Sequence, residues 1–364
     1  MRRNVHQGRD LAGAMVLVLF LTVGLSGVFQ APVATAVPVR HTVAGDEVRI
    51  YNLVGNVEIV PGTGSSVVAE VDLQGPDAGR LRVEKGKIRG YETLRVIYPG
   101  DRIHVPEYGS RTTTTMRVRE DGTFSDEKDG GRKVTLTGKD GIEASADIKI
   151  FVPKGRKVAV KWGHGEGTIS RVEAPVALDA AHMPVTVTDA KGPLSIDIGS
   201  GQVVVNGASA AVSIDTGSGE VELRSIHGGP ISVDTGSGEV VAEDVTSEPI
   251  SIDTGSGGIR LVRVRSESVV LDSGSGEVAV DLLSGLRNLV IDTGSGDVNV
   301  TIPHGTGAEL SVETGSGGIE TNLVLETRYR KRNELVGRIG NGSGSIRIET
   351  GSGTVTILED KDRK

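Results

Sequence analysis

The chain has 364 residues and a formal net charge of −8, so it is long enough to bury a sizeable core and is acidic enough to argue against a nucleic-acid partner. Aromatic residues make up only 3%, with one Trp and four Phe, against 52 Gly. Large rings fill irregular cores, so this composition favours a stack of similar coils filled by mid-sized aliphatic residues. Cysteine is absent, which excludes a disulfide framework and a lipid-modified N-terminal cysteine.

In chain order, the first element reads as an export signal. Arg2, Arg3 and Arg9 precede a charge-free apolar run from Leu11 to Phe29, and Ala34-Thr35-Ala36 supplies small residues for a signal peptidase. Residues 1–36 are therefore expected to be a signal peptide cleaved after Ala36, and the protein to be secreted, periplasmic or on the cell surface. An uncleaved anchor is the alternative, because the run approaches the length of a membrane span.

Residues 37–156 read as an N-terminal β region. Val48 to Leu53, Asn56 to Val60 and Ser66 to Leu73 alternate as strands between Gly turns. Residues 74–145 are more polar and read as an excursion with β-hairpins. Ala146 to Val152 resumes an alternating strand that Pro153-Lys154-Gly155 ends.

From 157 to 358 the sequence repeats. An acid-x-Gly-Ser-Gly pattern begins at Asp197, Asp215, Asp234, Asp253, Asp272, Asp292 and Glu313, at intervals of 18, 19, 19, 19, 20 and 21 residues, and returns at Glu349 after 36. The last interval reads as two coils. Steps of 18 back from Asp197 reach Asp179 and Lys161, which mark degenerate opening coils. Aliphatic residues stand immediately before each acid and two positions earlier, as in Ile231-Ser232-Val233-Asp234, so the segment is a strand with one face buried. A second alternation follows each corner, as in Val221-Glu222-Leu223. Fixed phase at this period predicts an all-β fold: a single-stranded parallel β-solenoid of about ten short coils of two strands each, at the strand spacing of ~4.8 Å. The crossover rule makes right-handed winding the default, and an antiparallel sandwich is the alternative. Glu359 to Lys364 form a charged tail.

The repeated strand-D-T-G-S-G-strand unit behind a signal segment, with the opening Val48-Arg49-Ile50-Tyr51-Asn52-Leu53-Val54-Gly55-Asn56-Val57-Glu58-Ile59, resembles a bacterial adhesin-type family of β-strand-repeat proteins over roughly residues 45 to 358. The resemblance implies an envelope or extracellular β-solenoid that binds or scaffolds and has no assigned catalytic site. The excursion at 74–145 and the insertion at 326–338 depart from the pattern.

Asp-Thr-Gly-Ser also matches the active-site strand of aspartic proteases, where two aspartates from two lobes share a proton. Four copies, at Asp215, Asp234, Asp253 and Asp292, cannot each own a lobe, so the acids read as turn-forming groups whose carboxylates accept nearby backbone N–H groups. Stacked carboxylates repel, which leaves structural calcium as a minor alternative to unliganded turns. His164 and His182 occupy the corner Ser position of adjacent coils, but two histidines lack the third ligand zinc usually takes. No nucleophile elbow or phosphate loop is met. The sequence thus predicts a non-enzyme with no cofactor and no metal, acting as an exported adhesin-like or scaffolding element whose partner is a surface or envelope polymer or protein. The alternatives are a regulatory or envelope-stress sensor module and a polysaccharide-processing β-helix enzyme. A uniform ladder offers little specificity, so the binding segment is expected at a break in the repeat: Arg328, Tyr329, Arg330, Lys331 and Arg332, a basic loop with one aromatic.

Overall fold

The computed structural model describes residues 37–124, 130–284 and 286–361. The expected signal peptide lies outside the described residues. Within them, the alternating aliphatic segments form two long sheets of 15 strands each, with a separate three-stranded sheet. Each coil contributes one strand to each long sheet and pairs in parallel, in register, with the coils before and after it. Ile231–Thr235, for example, lies between Val212–Thr216 and Ile250–Thr254, with Asp215, Asp234 and Asp253 level with one another. Inward positions such as Ile231 and Val233 are buried and the Ser and Asp between them are exposed, which is the period-two pattern of the sequence. One apolar cluster runs from Val43 to Ile357.

The corner explains the repeated residues. In the acid-Thr-Gly-Ser-Gly corner the Thr side chain points inward and is buried, and in several coils its hydroxyl donates to a glycine carbonyl of an adjacent coil: Thr254 to Gly238 at 3.3 Å, Thr350 to Gly296 at 3.2 Å, Thr314 to Gly353 at 2.8 Å; Thr216 instead donates to the Ser218 carbonyl within its own coil at 3.2 Å. The backbone bonds both ways, Gly236 N–H to the Thr216 carbonyl behind and Gly238 N–H to the Ser256 carbonyl ahead, each at 3.0 Å. Expected side-chain acceptance by the acids is therefore corrected: the corner N–H groups are spent on neighbouring coils, and Asp215, Asp234 and Asp253 point outward from the sheet. The two glycines serve different ends. A methyl on Gly236 would lie 2.6 Å from the Gly217 carbonyl oxygen, whereas Gly238 also has a φ of 149°, a conformation L side chains rarely adopt.

Both ends depart from sequence order. The coil Gly344–Thr350 and Val355–Asp360 is inserted between the coil that begins at Asn288 and the coil that begins at Ala308, so Glu349, not Glu313, follows Asp292 in the ladder. The 36-residue interval is thus one coil remainder, a hairpin and the start of an out-of-order coil, rather than two successive coils. That hairpin, Leu325–Arg330 with Glu334–Ile339, closes the acid-bearing sheet by antiparallel pairing onto Ala308–Thr314. At the other end Ser145–Pro153 enters between Val57–Gly62 and Val67–Gln74, parallel to the first and antiparallel to the second. Lys157–His164 then pairs in register with Glu47–Val54, so the sheet continues from the N-terminal β region into the repeats.

The excursion is ordered around a small sheet of Arg102–His104, Thr113–Val118 and Arg132–Thr137. It covers the outward side of the opening coils: Tyr51 is buried there with its ring edge-on to Phe124 at 5.7 Å. Inside this end, buried Asn52 donates to the Val54 and Ala146 carbonyls and accepts from the Tyr98 hydroxyl at 2.9 Å, which satisfies a polar group that would otherwise be costly to bury.

Gly236→Val and Gly238→Ala should each destabilise the protein by more than about 1 kcal/mol, through overlap with the preceding corner carbonyl and, for Gly238, backbone strain as well. Urea unfolding followed by circular dichroism measures this, and an unmoved midpoint would contradict the stacked corner.

Candidate binding surfaces

Three features outside the interior carry charge or titratable groups. The first is the acid ladder. Asp197, Asp215, Asp234, Asp253, Asp272, Asp292, Glu349 and Glu313 stand in register on the outward side of one sheet. At strand spacing, ~4.8 Å, neighbouring carboxylates repel by roughly 1 kcal/mol in water. The Asp272 carboxyl is held above the usual carboxylate range, first by partial burial and then by Asp253 and Asp292 on either side. No two of these acids face one another across a cleft of two lobes; they share one open face.

The second is the corner column of His164, His182 and Ser200. The two imidazoles stack at 5.2 Å with planes 9° apart, and His182 Nδ1 lies 2.6 Å from the Ser200 hydroxyl. The sequence placed these side chains in one column; the contribution of the excursion was not visible in it. Tyr108 sets its ring edge-on to His164 at 4.7 Å, and a Glu107 oxygen approaches His164 Nε2 at 3.8 Å. Burial, then the neighbouring His182, pushes His164 below the usual imidazole range, and Glu107 opposes the shift. Among the described residues no cluster of three His, Cys, Asp or Glu is arranged to hold a metal ion.

The third is the basic segment. Arg328, Tyr329 and Arg330 lie in the strand Leu325–Arg330, and Lys331 and Arg332 lie in the turn that follows, so the segment is a hairpin edge and not a loop crossing the end of the stack. Arg328 binds Glu309 at 2.8 Å, and Glu309 also binds Arg338 at 2.8 Å. Lys331 lies over the Tyr329 ring at 5.0 Å and 3.9 Å from Glu334. Arg330 and Arg332 form no ion pair among the described residues. Tyr329 is 39% exposed. The structure therefore groups all five residues at one sheet edge but partly neutralises Arg328 and, more weakly, Lys331, leaving Arg330 and Arg332 as the cations with no ion pair among the described residues.

This architecture can be set beside known proteins. The family model Toastrack DUF4097 matches residues 113–358, well over half of the chain. The chain belongs to this family. The Toastrack match begins inside the excursion, at the strand Thr113–Val118, and ends in the last coil. Among solved structures, a crystal structure described as a "putative cell adhesion protein" from Clostridium sporogenes is similar at 11% identity, covering 89% of this Toastrack chain and 100% of the other, with a TM-score of 0.21. No curated protein matches the chain.

The raised Asp272 carboxyl sets a pH dependence. Because its folded-state pKa lies above the ordinary value, the folded protein binds this proton more readily than the unfolded chain, so the ladder's penalty is present above the folded pKa and is relieved as pH falls through it. Asp272→Asn should therefore raise the melting temperature at pH 7 and lose that advantage as the pH drops through the carboxylate range. Thermal melts of both proteins between pH 7 and pH 3 test this, and a lower melting temperature for the variant at pH 7 would contradict it.

Proposed function

We propose that the protein is a non-enzymatic, exported adhesin-like or scaffolding solenoid of a bacterial cell envelope, about ten coils long and right-handed, that contacts a surface polymer or protein. The observation that carries this reading is the display of one side-chain set, coil after coil, on a long open sheet face. Such a surface suits repeated weak contacts along an extended partner better than the enclosed, irregular cluster that catalysis needs. Membership of the Toastrack family agrees with this repeated all-β architecture.

Selective contact is assigned to the hairpin at the end of the stack. Arg330, Lys331 and Arg332 present a cationic edge in a chain of net charge −8, and Tyr329 adds an exposed ring. Edge strands carrying Arg and Lys resist pairing with further strands, so this edge favours an anionic partner over added sheet. Acidic envelope polymer is the partner proposed.

The reading also requires export. The mature protein should begin at Val37, after the Ala34-Thr35-Ala36 site. N-terminal sequencing of material recovered outside the cytoplasm checks this, and a membrane-held form that retains Leu11 to Phe29 would refute cleavage. For the hairpin, changing Arg328, Arg330, Lys331 and Arg332 to Ser should leave the circular dichroism spectrum unaltered and abolish salt-sensitive sedimentation with purified acidic cell-wall polymer. Equal binding by the variant at low ionic strength would remove the hairpin from the interface. Turnover in a polysaccharide panel by the unmodified protein would overturn the non-enzymatic reading itself.

A further inference from the structure

Where the excursion roofs the opening coils, a cavity of about 200 Å³ lies on the outward side of the acid-bearing sheet. Its walls come from four places in the chain that only the fold brings together. Arg49 and Tyr51 come from the first coil and Lys161 from the second. Arg89 and Tyr91 come from the tip of a hairpin early in the excursion, Arg82–Ile88 with Tyr91–Ile97, which pairs onto Glu47–Val54 at the sheet's first edge, and Arg119 and Phe124 from later in the excursion. Four cationic side chains thus line one small space, and no carboxylate is among the residues lining it.

Carboxylates behind the walls pair with two of these cations, Arg49 and Lys161, and so offset part of their charge. Glu47 accepts from Arg49 at 3.0 Å but is shared with Lys157, also at 3.0 Å. Asp179 pairs with Lys161. Asp121 accepts from the Thr123 N–H at 2.9 Å and from the Thr123 hydroxyl at 2.7 Å, and it also interacts with the Arg95 and Arg119 charges. Arg89 is exposed and forms no ion pair among the described residues.

The cations are also positioned. The Arg49 guanidinium carbon lies 3.2 Å from the Tyr91 ring centroid, a contact that helps hold the side chain in place. Arg89 has a φ of 51° and Gly90 one of 91°. A two-residue turn with both angles positive ordinarily takes Asn, Asp or Gly at its first position. An arginine held there carries backbone strain, as Arg171 and Arg263 do elsewhere in the chain. Tyr51 and Phe124 are both buried and supply an apolar, edge-to-face wall.

We infer that this cavity is a binding site for a compact oxyanion, a phosphate or carboxylate group carried by a small molecule or by the end of a polymer, held by Arg49, Arg89, Arg119 and Lys161 against the Tyr51, Tyr91 and Phe124 rings. Guanidinium forks match the paired oxygens of both groups. The volume lies below the ~300 Å³ at which pockets for drug-sized ligands begin, so the occupant is one charged group with little more than a ring attached. The site stands apart from the hairpin Leu325–Arg330, in residues and in place, and does not depend on the function proposed for it.

Isothermal titration calorimetry at low ionic strength, with inorganic phosphate and with glucuronate as separate probes, tests the inference on the full mature chain. One site per chain is expected, weakening as salt is added; saturation by phosphate alone or by glucuronate alone would support the site and identify its anion. Arg89→Asn places a residue suited to the turn, and together with Arg119→Gln it should weaken binding at least tenfold while the circular dichroism spectrum stays unaltered. If the double variant does not fold, Arg89→Asn alone should still weaken binding several-fold, because that side chain is exposed. The chain carrying Ser at Arg328, Arg330, Lys331 and Arg332 should bind both probes as the unmodified protein does. Absence of saturable binding to either anion, undiminished affinity in the Arg89→Asn variant, or loss of binding on changing the hairpin instead would each overturn the proposal.

Discussion

Everything in this molecule depends on how closely one corner lies on the next. At Gly217, Gly236, Gly255 and their counterparts, the carbonyl oxygen of one coil occupies the space a Cβ would need in its neighbour, at 2.4 to 2.7 Å. The corner therefore admits glycine and little else, and in return every coil stacks at one spacing with its backbone groups bonded forward and back. That uniform spacing aligns the aliphatic ladder within, brings buried Thr hydroxyls such as those of Thr254 and Thr350 onto neighbouring glycine carbonyls, and forces the acids into a column despite their mutual repulsion. Backbone bonding and apolar burial outweigh the charge cost, and the outward carboxylates relax it by facing water.

The repeat was legible in the sequence because the constraint is local and periodic. Ile231-Ser232-Val233-Asp234 declares its buried and exposed faces by alternation alone, and counting back from Asp197 located Asp179 and Lys161, which the structure indeed sets in register. The ends were not legible, since nothing in Gly344–Thr350 marks that it pairs with Asn288–Thr293 ahead of Ala308–Thr314. Strand order within a parallel stack follows from which edges are free when a segment arrives, and a local pattern does not encode that. The role of the acids was misjudged for a related reason: a turn carboxylate near N–H groups is a reasonable acceptor, until neighbouring coils are found to use those donors first.

Candidate sites divide along the same line. The basic run 328–332 is contiguous and was visible as a cluster, although its hairpin geometry and the Glu309 contact to Arg328 were not. The cationic cavity draws on positions from Arg49 to Lys161, each unremarkable among its sequence neighbours. A charge cluster assembled by a folded-back excursion leaves no linear signal, save the unexpected Arg89 beside Gly90 at a hairpin tip.

The out-of-order last coil also bears on how the chain reaches its final form. A solenoid can be completed progressively as its segments emerge, each new coil templated by the one before. Here Ala308–Thr314 cannot take its final place until Gly344–Thr350 is available to lie beneath it. While the remainder is still emerging, the edge formed by Asn288–Thr293 lacks its final partner. The segment Gly344–Thr350 thus acts as a keystone: without it, neither Asn288–Thr293 nor Ala308–Thr314 has its final partner on that side, so closure of the stack depends on this one strand.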